Sequence, residues 1–468
     1  MILLIEQKQP NILFIMSDDH AAHAISAYGS RINETPYIDR IAKEGIRFDN
    51  CFCTNSICAP SRASILTGKY NHENGVRTLW EPMDTRQQHV AKVLQGNGYQ
   101  TAMIGKWHLG HGKNSDPTGF DYWNILPDQG DYNNPDMIEM GETKSYPGYV
   151  TDIITDLSLD WMNKRDNNKP FFLMCHHKAP HRPWKPDEKY KNLYEDIDIQ
   201  EPETFHDDYQ NRSLAAFEAV MRVDRDLQKR DVKMDPPNDL SPEALKSWYY
   251  QRYIKDYLRC VASIDDNVGR MLDYLDTEGI TDNTIVIYTS DQGFFLGDHG
   301  WYDKRFMYEE SLRMPFLVRY PKMVKANSST SSFALNVDFA QTFLDYAEVE
   351  APTDMQGTSL RPILEGKNPA DWQQSMYYRY WEHMSDPHKV GAHFGVRTHT
   401  HKLIYYYGKS LNVPGSYDDP KEPEWELFDL EKDPSELNNV YHHPQYQETV
   451  KELKKELFLL KKKVCDFD

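Results

Sequence analysis

The chain has few cysteines, a deficit of positive charge and no long apolar run, and each shortage excludes something. Six cysteines, at positions 51, 53, 58, 175, 260 and 465, are too few for 468 residues to build a disulfide framework. Cys51 and Cys53 stand near Cys58, but no second pair or suitably spaced histidine completes a zinc site. Lys and Arg number 53 against 72 Asp and Glu, a net charge of −19. That balance argues against nucleic acid or an anionic membrane surface as partner. No apolar stretch approaches the roughly 20 residues of a membrane span, so no membrane insertion is expected. Residues 1–5 are apolar but too short for a signal peptide, and no basic segment precedes them. A leader is either missing from this chain or was never there. Internal repeats and low-complexity tracts are also absent.

What is present can bury a large interior: 39% of residues are hydrophobic and 13% aromatic. The length exceeds one ordinary core, so two domains are expected. The chain is organised around residues 55–68, Asn-Ser-Ile-Cys-Ala-Pro-Ser-Arg-Ala-Ser-Ile-Leu-Thr-Gly, a loop turning into a helix with Cys58 at its mouth. Pro60 suits a first helical turn, and Ala63, Ile65 and Leu66 give the helix a buried side. Free N–H groups and the positive end of the helix dipole converge on Cys58, a place that favours anions and is expected to lower a thiol's pKa. Taken alone, Cys58 also reads as a small buried apolar residue.

Four apolar runs read as buried parallel strands, and each delivers unusual polar groups at its carboxyl end. Residues 11–16 lead into Ser17-Asp18-Asp19-His20, residues 99–104 into Gly105-Lys106-Trp107-His108, residues 170–175 into His176-His177-Lys178-Ala179-Pro180-His181-Arg182, and residues 284–289 into Ser290-Asp291-Gln292-Gly293. The prolines around His181 hold it in place, whereas His176 and His177 read as structural. Helices are expected at 35–44, 87–94, 150–162, 242–277 and 337–347, with Ser263, Asp265 and Asp266 structural on the long one. Residues 116–148 read as long loops over the sheet edge, and 186–240 as a charged peripheral insertion. After residue 362 the composition changes to short Tyr-, Phe- and Trp-rich strands (376–381, 393–397, 402–407, 425–429) and a closing helix at 445–462. The expected fold is α/β: a large mixed, mostly parallel sheet flanked by helices over residues 1–370, and a smaller C-terminal α+β part with an antiparallel sheet and one helix over 371–468.

In a parallel sheet such strand ends lie on one edge, which brings Asp18, Asp19, Lys106, His108, His181, Asp291 and Gln292 together with the Cys58 helix and Lys304. Asp18, Asp19, Asp291 and Gln292 form an oxygen-only ligand set suited to a hard divalent cation, Ca²⁺ or Mg²⁺. Three carboxylates give −3, Arg62, Lys106 and Lys304 give +3, and the cation adds +2. The pocket is thus positive inside an acidic protein and attracts an anion.

Cys58-Ala-Pro-Ser-Arg62 with its Leu-Thr-Gly helix end, and the strand-end motifs in the same order across residues 11–320, resemble the type I sulfatases of the alkaline phosphatase superfamily. The segment after residue 371 is similar to that family's C-terminal subdomain. The resemblance implies that Cys58 is oxidised after translation to formylglycine, by a formylglycine-generating or sulfatase-maturating enzyme. It also implies metal ligation by Asp18, Asp19, Asp291, Gln292 and the modified residue 58. One hydroxyl of the hydrated aldehyde attacks sulfur and displaces the alcohol, leaving the enzyme sulfated. Arg62 and Lys106 steady the hydrate, and His108 takes the proton from its second hydroxyl to expel sulfate. His181 and Lys304 hold the sulfate and assist the leaving oxygen. Gln292 stands where the family often has Asn or His; its amide oxygen can still ligate.

The stretches Asp291–Arg313 and Lys178-Ala-Pro-His-Arg-Pro-Trp184 look like the sulfatases that desulfate carbohydrates. The pattern His388…His393-Phe-Gly-Val-Arg-Thr398…Lys402-Leu-Ile404 is similar to N-acetylglucosamine-6-sulfatases, with His388 and His393 as candidate sugar contacts. The implied substrate is a 6-O-sulfated glucosamine-type residue of a glycosaminoglycan oligosaccharide. The alternatives are another sugar sulfate (uronate-2-sulfate or galactose sulfate), a phosphoester or phosphonate monoester hydrolase, and a non-catalytic carbohydrate-binding protein. Family habit implies an extracytoplasmic location.

Overall fold

A computed structural model describes residues 9–468; the apolar residues 1–5 lie outside the described residues. Ten strands form one sheet in the order Ser328–Thr330, Ile46–Phe48, Phe316–Arg319, Thr284–Ser290, Asn11–Ser17, Phe171–His176, Gln100–Lys106, Tyr122–Leu126, Asp136–Glu139 and Glu142–Ser145. The five from Thr284–Ser290 to Tyr122–Leu126 are parallel. Asn11–Ser17 lies between Thr284–Ser290 and Phe171–His176 and is buried throughout. Its side chains alternate between two cores. Ile12, Phe14 and Met16 join the helices Cys58–Thr67, Val90–Gly96 and Phe339–Tyr346, while Leu13 and Ile15 join Pro36–Lys43, Val150–Lys164 and Pro242–Thr277. A strand buried on both faces has no polar alternation, which is why it reads as a continuous apolar run.

Register places the functional ends level. Ser17 lies opposite Ser290, Met16 opposite His176, and Gly105 opposite His176. The residues following each strand therefore leave from the same edge. The 36-residue helix Pro242–Thr277 braces this core, and its Asp265 accepts hydrogen bonds from Tyr37 N at 3.0 Å and Ile38 N at 2.8 Å, holding the start of the Pro36–Lys43 helix.

The C-terminal sheet is antiparallel, its strands Ser375–Tyr380, His393–Thr398, His401–Tyr406 and Glu424–Asp429 pairing in sequence order, with the Gln447–Lys463 helix against it. Its first strand meets the loop before Cys58: Tyr378 Oη accepts from Ser56 N at 3.1 Å, and Arg379 N donates to Thr54 O at 3.0 Å.

Two regions differ from expectation. Residues 116–148 carry three strands, Tyr122–Leu126, Asp136–Glu139 and Glu142–Ser145, rather than loops alone. Glu142–Ser145 is exposed at every position and so shows no apolar periodicity. Residues 186–240, expected to be peripheral, contain the short helices Leu214–Glu218 and Lys229–Val232, and from them Asp231 reaches inward to a buried ion pair with Arg182. A charged run reads as solvated when its partner lies 49 residues away.

Candidate active site

Asp18, Asp19, Asp291 and Gln292 are fully buried where their two neighbouring strands end. The three carboxylates each offer an oxygen within a 4.8 Å cluster. Asp19 N donates to Asp291 Oδ1 at 3.1 Å, and the Gln292 amide nitrogen donates to Asp19 Oδ1, which turns Gln292 Oε1 free. Asp18 Oδ1, Asp19 Oδ2 and Gln292 Oε1 are buried and have no hydrogen-bond partner among the described residues. Buried oxygens so placed are costly unless something positive meets them. This donor set fits a hard divalent cation.

Cations surround the cluster. Lys106 Nζ contacts Asp18 Oδ2, Lys304 Nζ donates to Asp19 Oδ1 at 2.5 Å, and Arg62 donates from Nε to Asp291 Oδ2 at 3.0 Å. Arg62 also donates from Nη1 to Lys106 O at 2.6 Å, linking the Cys58 helix to the end of the Gln100–Lys106 strand. His181 Nδ1 donates to Arg182 O at 2.6 Å, so its Nε2 is the free nitrogen and lies 3.7 Å from Asp19 Oδ2. Asp18, Cys58 and His181 form a second close group. The backbone is strained at this edge, with Asp19, His108, Asp303 and Arg305 at φ of 68°, 55°, 78° and 92°.

Protonation follows from burial and neighbours. Burial opposes charge on Asp18, yet Lys106, Arg62 and Lys304 hold its carboxyl well below the usual range. Burial pushes Asp19 up, against Lys304 and with the help of Asp18 and Asp291. Burial and Asp18 likewise push Asp291 up, against Arg62. Burial, then Lys106, holds both His108 and His181 well below the usual imidazole value, so both rest neutral. Burial works against charge on Lys304, but the carboxylates of Asp19 and Asp303 keep it firmly protonated.

Cys58 opens the Cys58–Thr67 helix as expected, and every residue of that helix is buried. Its thiol, however, is not activated. Burial pushes its pKa up, with Asp18 and Asp291 adding to the effect of burial and Lys304 and Lys106 opposing. The helix mouth does not overcome desolvation at a residue that is 1% exposed. The expectation of a lowered thiol pKa is therefore corrected.

His388 lies near the cluster, its Nε2 3.4 Å from Asp303 Oδ2, one residue before Lys304. His393 does not qualify as a sugar contact. It is fully buried, its Nδ1 donates to Gly391 O at 2.8 Å, its Nε2 accepts from Met307 N at 3.2 Å, and its ring stacks on Tyr378 and Phe306. Its role is packing, as strand-edge histidines often have. Sequence reasoning missed Gln129, whose Oε1 accepts from Lys106 Nζ at 2.5 Å while its Nε2 donates to His108 Nε2 at 3.2 Å. It also missed buried Lys178, which burial and then Lys106 lower to about 8. The Lys178-Ala-Pro-His-Arg motif contained that signal; nothing around Gln129 did. A cavity of about 290 Å³ lined by His23, Glu201, Asp298 and Glu310 contains none of these residues.

A mixed α/β sheet with an oxygen ligand set, neutral imidazoles and fixed cations at its carboxyl edge defines a metal-assisted hydrolase of anionic esters. The sequence profile of the family described as Sulfatase matches residues 10–349, and that described as N-sulphoglucosamine sulphohydrolase, C-terminal, matches residues 297–463. The chain belongs to the sulfatase family and is a sulfuric ester hydrolase. Members of this family work with a formylglycine and a divalent metal. The chain is 44% identical over 508 aligned positions to an N-acetylglucosamine-6-O-sulfatase of Bacteroides thetaiotaomicron, covering 99% of this chain and 88% of that one. It is 26% identical to an N-acetylglucosamine-6-sulfatase of Capra hircus, over 92% of this chain and 80% of that one. A solved structure of a protein in complex with its substrate D-glucosamine-2-N,6-O-disulfate superposes with a TM-score of 0.92, at 44% identity, over 98% of this chain and 99% of that one. No helix among the described residues is long and apolar enough to cross a membrane.

Proposed function

We propose that this sulfatase removes the 6-O-sulfate of N-acetylglucosamine or glucosamine residues in glycosaminoglycan oligosaccharides. The observation that carries the substrate is the 44% identity, over 99% of the chain, to a relative with that activity in its name. In this reading the catalytic unit spans residues 1–370 and the antiparallel-sheet unit 371–468.

Asp18, Asp19, Asp291 and Gln292 would hold the cation, with Ca²⁺ the ion that the oxygen-only set favours and Mg²⁺ the alternative. The bound cation supplies Lewis-acid polarisation of a sulfate oxygen. Residue 58, converted from Cys to formylglycine by a maturating enzyme, supplies the nucleophile as a hydrated aldehyde. Arg62 and Lys106 fix its position at the helix mouth. Gln129 donates to His108 Nε2 because its own oxygen is taken by Lys106, which leaves Nε2 the basic atom that receives a proton. His181 Nε2 and Lys304 Nζ face the same space and meet the sulfate and the departing oxygen, while His388 contacts the sugar. Family habit places such an enzyme outside the cytoplasm.

Rates on a panel of sulfated mono- and disaccharides test the substrate. Turnover of a uronate-2-sulfate or galactose sulfate with glucosamine-6-sulfate inert would overturn it. A nitrophenyl phosphate hydrolysed orders of magnitude faster than the matching sulfate would restore the phosphoester alternative.

A further inference from the structure

Trp80 is 67% exposed, the most open tryptophan on a protein whose Trp184, Trp301 and Trp381 are fully buried. A lone exposed aromatic needs no explanation. This one is held, and held at the rim of the site. The segment carrying it is tied to three walls of the pocket. Arg77 O accepts from Asn55 Nδ2 at 3.2 Å, in the loop leading to Cys58. Leu79 N donates to Glu382 Oε1 at 2.5 Å, and Glu382 Oε2 accepts from Arg305 Nη1 at 3.0 Å, beside Lys304. Met83 N donates to Leu109 O at 2.9 Å, beside His108.

The segment is also stiffened internally. Arg77 Nε donates to both carboxylate oxygens of Glu81 at 3.2 Å, and Trp80 N donates to Thr78 Oγ1 at 3.2 Å. The pyrrole part of the indole lies against Gly415, which has φ of +80° and where a Cβ would collide with Trp80 Cδ1. The ring is thus fixed from one side and open on another.

Such a ring offers a flat apolar surface whose ordering cost is already met. The catalytic groups are buried, so their pocket takes the sulfated residue while the remainder of a saccharide chain crosses the rim. A net charge of −19 makes cationic guidance of that remainder weak over most of the surface. Stacking of a pyranose C–H face on an indole needs no charge. We propose that Trp80 is the platform for the sugar adjoining the sulfated residue, so that the enzyme prefers an oligosaccharide to a free sulfated monosaccharide. This rests on the saccharide reading above.

The test compares wild type, Trp80→Ala, Trp80→Phe and Gly415→Ala on glucosamine-6-sulfate and on a disaccharide and a tetrasaccharide ending in that residue. Trp80→Ala is expected to lower kcat/KM on the oligosaccharides about tenfold, through KM, and to leave the monosaccharide within about twofold. Trp80→Phe retains part of the preference, and Gly415→Ala, which displaces the ring, reproduces the loss. Melting curves show that each variant is folded. If wild type desulfates the monosaccharide and Trp80→Ala changes kcat/KM by the same factor on all three substrates, the platform is refuted and the substrate reading stands. If wild type desulfates none of them, the substrate reading fails and the platform with it.

Discussion

His299 offers a quantitative test of how the loop carrying Lys304 is held. The imidazole is fully buried, with Nδ1 3.1 Å from Asp207 Oδ2 and Nε2 3.7 Å from Glu310 Oε2. Burial disfavours its charge and Arg212 adds repulsion, but Asp207 and Glu310 outweigh both and raise its pKa from the ordinary 6.5 to about 9. The folded pKa exceeds the unfolded one, so the stabilising contribution is complete below pH ~6.5 and disappears as pH rises through about 9. At 1.36 kcal/mol per pKa unit the difference amounts to about 3 kcal/mol. For a chain of 468 residues unfolding as one unit that is about 3 °C in Tm. His299→Asn is the appropriate variant, because Asn accepts the φ of 55° found here and keeps a donor toward Asp207 without a titrating group. Urea or thermal unfolding of both proteins between pH 6 and 10 measures the effect. Wild type is expected to lose about 3 kcal/mol more than the variant across that interval. Parallel curves for the two proteins would show that His299 is neutral in the fold and that the ion cluster is not what secures the loop.

Three further outcomes are expected. Cys58→Ala abolishes turnover with the melting temperature nearly unchanged, and peptide mass spectrometry of residues 56–62 of the active protein detects an aldehyde in place of the thiol. Gln292→Ala, which deletes one of the unpartnered oxygens, weakens divalent-metal affinity at least tenfold by competitive chelator titration, whereas Gln292→Asn loses less. Asp265→Ala removes the acceptor for Tyr37 N and Ile38 N and lowers unfolding free energy by about 1–2 kcal/mol, with kcat/KM unchanged.

Much of the architecture was legible because a strand buried on both faces has to be apolar throughout, and the change to Asp18-Asp19, Lys106 or Asp291 at its end is abrupt. Sequential separation hid the rest. Gln129 bridges Lys106 and His108 from a loop more than twenty residues further on, with no periodicity to mark it. Asp231 pairs with Arg182 across 49 residues, and neither residue type signals burial. The strand Glu142–Ser145 is polar on both faces, so only its partner Asp136–Glu139 reveals it. The Cys58 thiol was misjudged for a different reason: the helix dipole is a local property that sequence conveys, whereas desolvation depends on everything packed around the residue. His393 reads as a sugar contact beside His388, and only three-dimensional packing shows its ring enclosed.

The burial of the Cys58–Thr67 helix also sets a schedule. With Cys58 1% exposed and all ten residues of its helix enclosed, the finished fold gives a protein-sized catalyst no access to the thiol. If residue 58 becomes formylglycine, as proposed, the conversion has to happen while the nascent chain is still open, before the central sheet closes over it. On that reading a molecule that folds first stays inactive, and later exposure to a maturating enzyme does not rescue it short of unfolding.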